Sequence, residues 1–236
     1  MRLDLFLVET KFFESRAKAQ AAILDSEVWI DGQPVLKPAL EVNKETNLSI
    51  IPRTRYVSRA GVKLKAFLPI ANIDIKDKHC VDVGSSTGGF TQVLLEEGAL
   101  SVCAVDVGSE QLHHSLRENL KIKLFEQTNI VDFVLPHEVE ILTCDLAFVS
   151  TTSLLDLLDK LKFKYAIILF KPQFEVGKTV KRDKKGVVKD IEQIKRAKRT
   201  FETATTSLGW EMIIAQESAL KGKEGNVEFF YAFRRA

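Results

Sequence analysis

What this chain lacks narrows it first. It holds only three cysteines, Cys80, Cys103 and Cys144, each within an apolar run and none at metal-ligand spacing. A disulfide framework and a zinc module are therefore both disfavoured, and the thiols read as small buried hydrophobes in a reducing compartment. Histidine is nearly as scarce, and His113 and His114 have no second ligand pair, so no metal site is expected. No apolar run approaches the roughly 20 residues needed to cross a bilayer. Met1 leads straight into an amphipathic segment rather than a basic-then-apolar leader. The expectation is a cytoplasmic protein without membrane contact. Charge of one sign is also missing overall, because the net charge is only +2. It is unevenly spread, however. Lys171 to Thr200 holds eleven Lys or Arg against four Asp or Glu. A solvated helix face is the usual fate of such a run.

What is present divides in two. Residues 1–51 read as a small α+β unit. Leu3, Leu5, Phe6, Leu7 and Val8 suggest a short helix, and Ser15 caps a second carrying Ala19, Ala22, Ile23 and Leu24. Val28-Trp29-Ile30 is a strand, followed by an Asp31-Gly32 turn, a strand near Pro34-Val35-Leu36 and a third at Leu48 to Ile51. Residues 52–57 are a polar linker, and residues 58–236 form a second domain. There, strands at His79–Val83, Ser101–Val105, Lys123–Gln127, Ile141–Asp145 and Tyr165–Phe170 alternate with helices at Gly89–Glu97, Gln111–Asn119 and Ser153–Leu161. A long helix spans Asp190–Ser207, and Trp210–Ala215 and Val227–Phe233 are the last strands. This alternation predicts an α/β, Rossmann-like, mostly parallel sheet ending in an antiparallel strand pair. Val176 to Lys189 has little apolar content and reads as a mobile loop.

In such a sheet the ligand binds beyond the carboxyl ends of the strands. Asp82-Val83-Gly84-Ser85-Ser86-Thr87-Gly88-Gly89-Phe90-Thr91 stands at the first of those ends. Its glycines are spaced G-x-x-x-G-G, which lacks the G-x-G-x-x-G of a dinucleotide site. Asp106, with Val107 behind it, ends the next strand about 20 residues on, where an acid can bond ribose hydroxyls. Asn129 follows the third strand and can border an adenine, or serve as an ordinary turn residue. With Asp82 before the loop and Asp106 after it, S-adenosylmethionine is the favoured ligand. Gly177-Lys178-Thr179 mimics the end of a phosphate loop, but Pro172 stands where such a loop needs its first glycine.

Four further residues supply chemistry: Lys63, Asp145, Lys171 and Glu228. Methyl transfer from a sulfonium is an in-line displacement, so an enzyme must align the nucleophile and remove its proton. Asp145 and Lys171 end adjacent strands and project toward the donor. Lys171 is the expected base. Lys63 assists and positions the substrate, while Asp145 and Glu228 orient the amines. Taken singly, each could be a surface salt-bridge partner.

At these motifs the chain resembles the TlyA family of ribosomal RNA 2′-O-methyltransferases, whose FtsJ-like domain carries a Lys-Asp-Lys-Glu tetrad. The resemblance rests on Tyr56-Val57-Ser58-Arg59 through Leu64, Asp82 to Thr91, Asp106-Val107-Gly108 with Gln111-Leu112, Thr128-Asn129-Ile130, Asp145 with Phe148-Val149-Ser150, Lys171 to Gly177, and Gly225 to Phe230. It implies methylation of a cytidine ribose in ribosomal RNA within a subunit or ribosome, and shorter members such as this chain act on the large subunit. The first fifty residues resemble an S-four-like RNA-binding domain, through Arg2-Leu3-Asp4, Ser15 to Ala19 and Val28 to Gly32. That implies phosphate contacts from Arg2, Arg16 and Lys18, joined by Arg59 from the second domain. Ser26-Glu27 departs from the family, which has Gly and a basic residue there, so Glu27 should weaken local phosphate contact. A monomer is expected. The alternatives are a membrane-active haemolysin, which the family name has also denoted, a non-catalytic ribosome-binding protein, and methylation of a small molecule.

Overall fold

The structure, a computed structural model, describes residues 1–24, 26–50 and 56–235. The chain divides into two compact units, Met1–Arg55 and Tyr56–Ala236. Of the expected linker, only Tyr56 and Val57 are among the described residues, and the end of the third expected strand, Ile51, lies outside them.

The first unit contains α1 (Leu3–Glu9), α2 (Arg16–Leu24), β1 (Val28–Ile30), β2 (Gln33–Pro34) and β3 (Leu48–Ile50). Leu3 and Leu7 lie one turn apart on α1, so both reach the same face. They pack with Ala19, Ala22, Ile23 and Val28 as its core. Ser15 caps α2, its Oγ accepting from the Lys18 N–H at 3.3 Å. β1 is the middle strand, antiparallel to both neighbours. Phe13 packs on the core, whereas its neighbour Phe12 is half exposed.

The second unit begins with α3 (Arg59–Ala71), a helix the sequence reading did not anticipate. Gly61 and Pro69 both oppose a helix locally, yet Leu64, Phe67, Leu68 and Ala71 recur at helical spacing and are buried. There follow β4 (His79–Val83), α4 (Gly89–Glu96), β5 (Ser101–Val105), α5 (His114–Arg117), β6 (Ile122–Phe125) and β7 (Ile141–Cys144). A 3-10 turn at Thr152–Leu154 leads into α6 (Leu155–Asp159), β8 (Tyr165–Phe170), α7 (Pro172–Glu175), α8 (Ile191–Ser207), β9 (Trp210–Glu217) and β10 (Phe229–Arg235). The strand order is β6-β5-β4-β7-β8-β10-β9. β4 to β8 are parallel, and β10 inserts antiparallel between β8 and the edge strand β9. Alternate residues of each strand face opposite ways. Val81, Cys103, Leu142 and Ile168 therefore join one core, and Cys80, Val102, Ile141 and Ile167 the other.

The helix expected over Gln111–Asn119 shrinks to α5. The Glu126 carboxylate accepts from the Glu110 and Leu112 N–H groups at 3.0 and 2.9 Å, and the His113 N–H donates to the Thr87 carbonyl at 3.2 Å, which ties residues 110–113 to other loops ahead of α5. His113 and His114 stack on each other, and the His113 ring accepts from the Ser115 N–H at the start of α5.

Candidate active site

The carboxyl ends of β4, β7 and β8 open on the same edge of the sheet, because these strands are parallel neighbours. Asp145 follows β7 and Lys171 follows β8. Lys171 Nζ lies 2.6 Å from Asp145 Oδ1. Among the described residues that oxygen has this ion pair but no aligned hydrogen bond. Phe229 pairs with Phe170 across β10 and β8, so the preceding Glu228 falls beside the end of β8 where Lys171 begins. Lys63, from α3, donates from Nζ to Glu228 Oε2 at 2.6 Å, and both are buried. The four residues thus form two lysine–carboxylate pairs, Asp145–Lys171 and Lys63–Glu228.

Gln173, to which the sequence assigned no role, ties the pairs together. Pro172 opens α7, where its missing N–H costs nothing. Two residues beyond Lys171, Gln173 then donates from Nε2 to Glu228 Oε1 at 3.1 Å. Glu175 from the same turn accepts from Ser150 Oγ, the Thr151 N–H and Thr152 Oγ1 at 2.6 to 2.7 Å, and so fixes the loop that follows Asp145. In that loop Phe148 is almost fully exposed, lies at positive φ (67°), and stands 5.4 Å from the Phe174 ring.

Lys63 can reach Glu228 because α3 lies very close to the start of α4. A Cβ on Gly89 would meet Ser58 Oγ at 2.1 Å and the Gly61 N at 2.8 Å. One on Gly61 would meet the Tyr56 side chain at 2.7 Å and the Gly89 carbonyl at 3.0 Å. Only two facing glycines allow this approach.

Beside the pairs lies a cavity of about 270 Å³, lined by Ser58 to Ala60, the loop residues Gly84 to Thr87, Phe90 and Asp145. Gly84 has φ +80°, and a side chain there would meet the Asp145 carbonyl at 3.0 Å. Ser85 Oγ is buried, and among the described residues it has no hydrogen-bond partner. An unpaired buried hydroxyl costs roughly 1–3 kcal/mol, so this one suits a polar ligand.

The other expected donor residues stand behind this lining. Asp82 is fully buried and accepts from Thr91 Oγ1 at 2.7 Å and Thr143 Oγ1 at 2.9 Å. Burial pushes its carboxyl up to about 6, against the pull of the two hydroxyls. Gly88 caps α4 at φ 92°. Asp106 accepts from the Ser86 N–H at 2.8 Å and the Gly108 N–H at 2.7 Å, joining the loops after β4 and β5. Val107 is exposed, and Asn129 spends its Oδ1 on the Val131 N–H in a turn.

In the first unit, the buried Asp4 accepts from Arg2 Nε and Nη2 at 3.0 and 2.9 Å, from Arg16 Nε at 2.9 Å and from Gln20 Nε2 at 2.7 Å. One carboxylate thereby gathers two of the cations expected on phosphate. Lys18 pairs with Glu14. Arg59 donates to the Lys221 carbonyl at 2.9 Å. Ser26 occupies the left-handed region at φ 62°, the conformation that favours the glycine expected there.

Fold and site define a Rossmann-like methyltransferase unit preceded by a small α+β unit. Residues 56–235 match the FtsJ-like methyltransferase family, and residues 1–48 match the S4 domain. The chain is 46% identical to the 23S rRNA (cytidine-2′-O)-methyltransferase TlyA of Campylobacter jejuni, covering 99% of each. It is 37% identical to the 16S/23S rRNA (cytidine-2′-O)-methyltransferase TlyA of Mycobacterium tuberculosis, over 99% of this chain and 89% of that protein. A solved structure from Streptococcus thermophilus, described as a hemolysin, superposes with a TM-score of 0.74 at 30% identity, over 100% of this chain and 88% of that one. The chain belongs to the TlyA family. Among the described residues, no helix is long and apolar enough to cross a membrane.

Proposed function

We propose that this chain transfers a methyl group from S-adenosylmethionine to the 2′-hydroxyl of a cytidine ribose in ribosomal RNA of the large subunit. The observation that carries the reading is the convergence of Lys63, Asp145, Lys171 and Glu228, from four distant segments, into two buried or nearly buried pairs beside one cavity. A surface salt-bridge role would not require that convergence. The extent shared with the Campylobacter relative supports the large subunit.

When bound, S-adenosylmethionine supplies a methyl group activated by its sulfonium. Gly84, Ser85 and Phe90 would hold it, with Asp82 and Asp106 bracing the loops from behind. Lys171 takes the hydroxyl proton at Nζ once it has given up its own, and Asp145 orients it. Lys63 positions the ribose and is itself held by Glu228. Excluding water from this pocket strengthens each of these contacts. In this reading residues 1–51 bind RNA, 52–57 link the units and 58–236 carry the chemistry. Arg2, Arg16, Lys18 and Arg59 grip phosphates, and the chain acts as a cytoplasmic monomer.

The test is transfer of labelled methyl to ribosomal subunits lacking the modification, with Lys171→Ala alongside. Label at one alkali-resistant linkage that vanishes in the variant supports reaction and residue together. Near-normal turnover by Lys171→Ala would remove the tetrad from the chemistry. Absence of label on either subunit, despite donor binding, would point to another acceptor or to a binding-only role.

A further inference from the structure

The segment from Lys178 to Lys189 holds five lysines and one arginine against a single acid, Asp183. It was expected to be mobile, yet it is fastened at both ends to the elements that carry the tetrad. Arg182 donates to the Gln173, Gly177 and Val180 carbonyls at 2.9, 3.0 and 2.8 Å, which ties the segment to the turn beginning at Lys171. The Val188 N–H donates to Asn226 Oδ1 at 3.0 Å, tying its other end two residues before Glu228. Between these anchors, Asp183 Oδ1 accepts from the Lys185 and Val187 N–H groups at 2.9 and 3.0 Å and closes a turn with Lys184 and Lys185 at its tip.

The one arginine and the one aspartate are thus spent on building the turn. Lys178, Lys181, Lys184 and Lys185 are exposed, and among the described residues they form no salt bridge. Two of the four cations of the following helix differ. Lys195 pairs with Glu192, and Lys198 sits 4.0 Å over the Phe229 ring. A merely solvated charge run needs no rigid frame. Four like charges held together on one repel each other unless an anion lies between them.

The geometry points to this turn as a phosphate clamp in the methyltransferase unit, seating the RNA backbone that flanks the target ribose. The inference rests on the ribosomal RNA reading above. It adds an RNA contact separate from the first unit and built on the same two anchors as Lys171 and Glu228. Lysines on phosphates give affinity and register without reading sequence.

The test uses the full chain with Lys178, Lys181, Lys184 and Lys185 all changed to Gln, and protein-free large-subunit RNA as the probe. Affinity is measured against salt concentration. Each phosphate contact contributes about 0.7–0.9 to the slope of log affinity on log salt, so the quadruple variant should flatten it by about 3. Its KM for RNA should rise at least tenfold, while kcat at saturating RNA and S-adenosylmethionine affinity stay unchanged. Changing the same four to Arg should restore wild-type binding. An unchanged slope would overturn the clamp. So would a loss confined to assembled subunits, which would assign the lysines to an acidic protein partner. A wild type that shows the lysine-dependent slope but transfers no methyl would sink the functional reading and leave the phosphate contact standing.

Discussion

Lys63 Nζ lies 2.6 Å from Glu228 Oε2 although 165 residues separate them in the chain. Both side chains are almost wholly removed from water. Removing one partner of such a pair strands a buried charge, which typically costs about 3–5 kcal/mol. Lys63→Ala should lose that much in a denaturant titration. Lys63→Met combined with Glu228→Gln should lose clearly less than the two single changes summed. Additive losses would mean that water, rather than each other, satisfies the two groups.

The same pair depends on a contact between two glycines. Gly89→Ala would drive a methyl into the Gly61 backbone, which cannot rotate away as a flexible side chain could. Overpacking of this kind costs about 1–3 kcal/mol. The helix α3 would have to shift, and Lys63 with it. Gly89→Ala should therefore reduce methyl transfer by more than tenfold while lowering stability only modestly. Wild-type turnover from that variant would show that α3 moves freely without disturbing Lys63.

Which parts were legible in the sequence follows from which forces are local. The central strands were readable because Cys103 and Ile168 belong to continuous apolar runs and Val81 and Leu142 to mostly apolar ones, the signature of a sheet covered on both faces. Asp145 and Lys171 were readable because each ends such a run. Helix α3 was not, since Gly61 and Pro69 argue against a helix and only packing on α4 overrules them. Gln173 and Arg182 were also out of reach. Their partners lie 55 residues away at Glu228 and across a loop at Gln173, and no local pattern encodes either contact. The loop at Val176–Lys189 looked mobile because its apolar content is low, whereas hydrogen bonds hold it. Phosphate contacts read from Arg2 and Arg16 omitted Asp4, whose buried carboxylate holds both.

Two buried aspartates, one in each unit, should respond to pH in opposite directions. Burial raises the Asp82 carboxyl to about 6 from an ordinary value near 3.8. The folded chain then binds the proton more tightly than the unfolded chain. The resulting stability is complete below about pH 4 and is lost as pH rises through about 6, with an amplitude of about 3 kcal/mol. Asp82→Asn should flatten that slope. Arg2, then Gln20 and Arg16, hold the Asp4 carboxyl well below the usual range despite its burial. Its contribution is present above pH 4 and lost as pH falls further. Hydrogen exchange followed segment by segment would separate the two, with α1 and α2 losing protection on acidification and β4 gaining it. Parallel behaviour of the two segments would refute the assignment.

Asp4 also fixes what the first unit can offer to RNA. It occupies Nε and Nη2 of Arg2 and only Nε of Arg16. Among the described residues the remaining guanidinium nitrogens have no protein partner, so a planar cation is presented in a set orientation, as phosphate recognition needs. Beyond α2, Ser26 holds the left-handed conformation at the turn and Glu27 follows with a negative charge where the resemblance to the S4-like domain implies a positive one. Glu27→Lys should tighten RNA binding several-fold at low salt and steepen the salt dependence by about one further released ion. Ser26→Gly, which relieves the backbone without changing charge, should raise stability slightly and leave RNA affinity as it was. If Glu27→Lys leaves the salt slope unchanged while Arg16→Gln flattens it, the RNA strand passes Arg16 and leaves the Ser26 turn untouched.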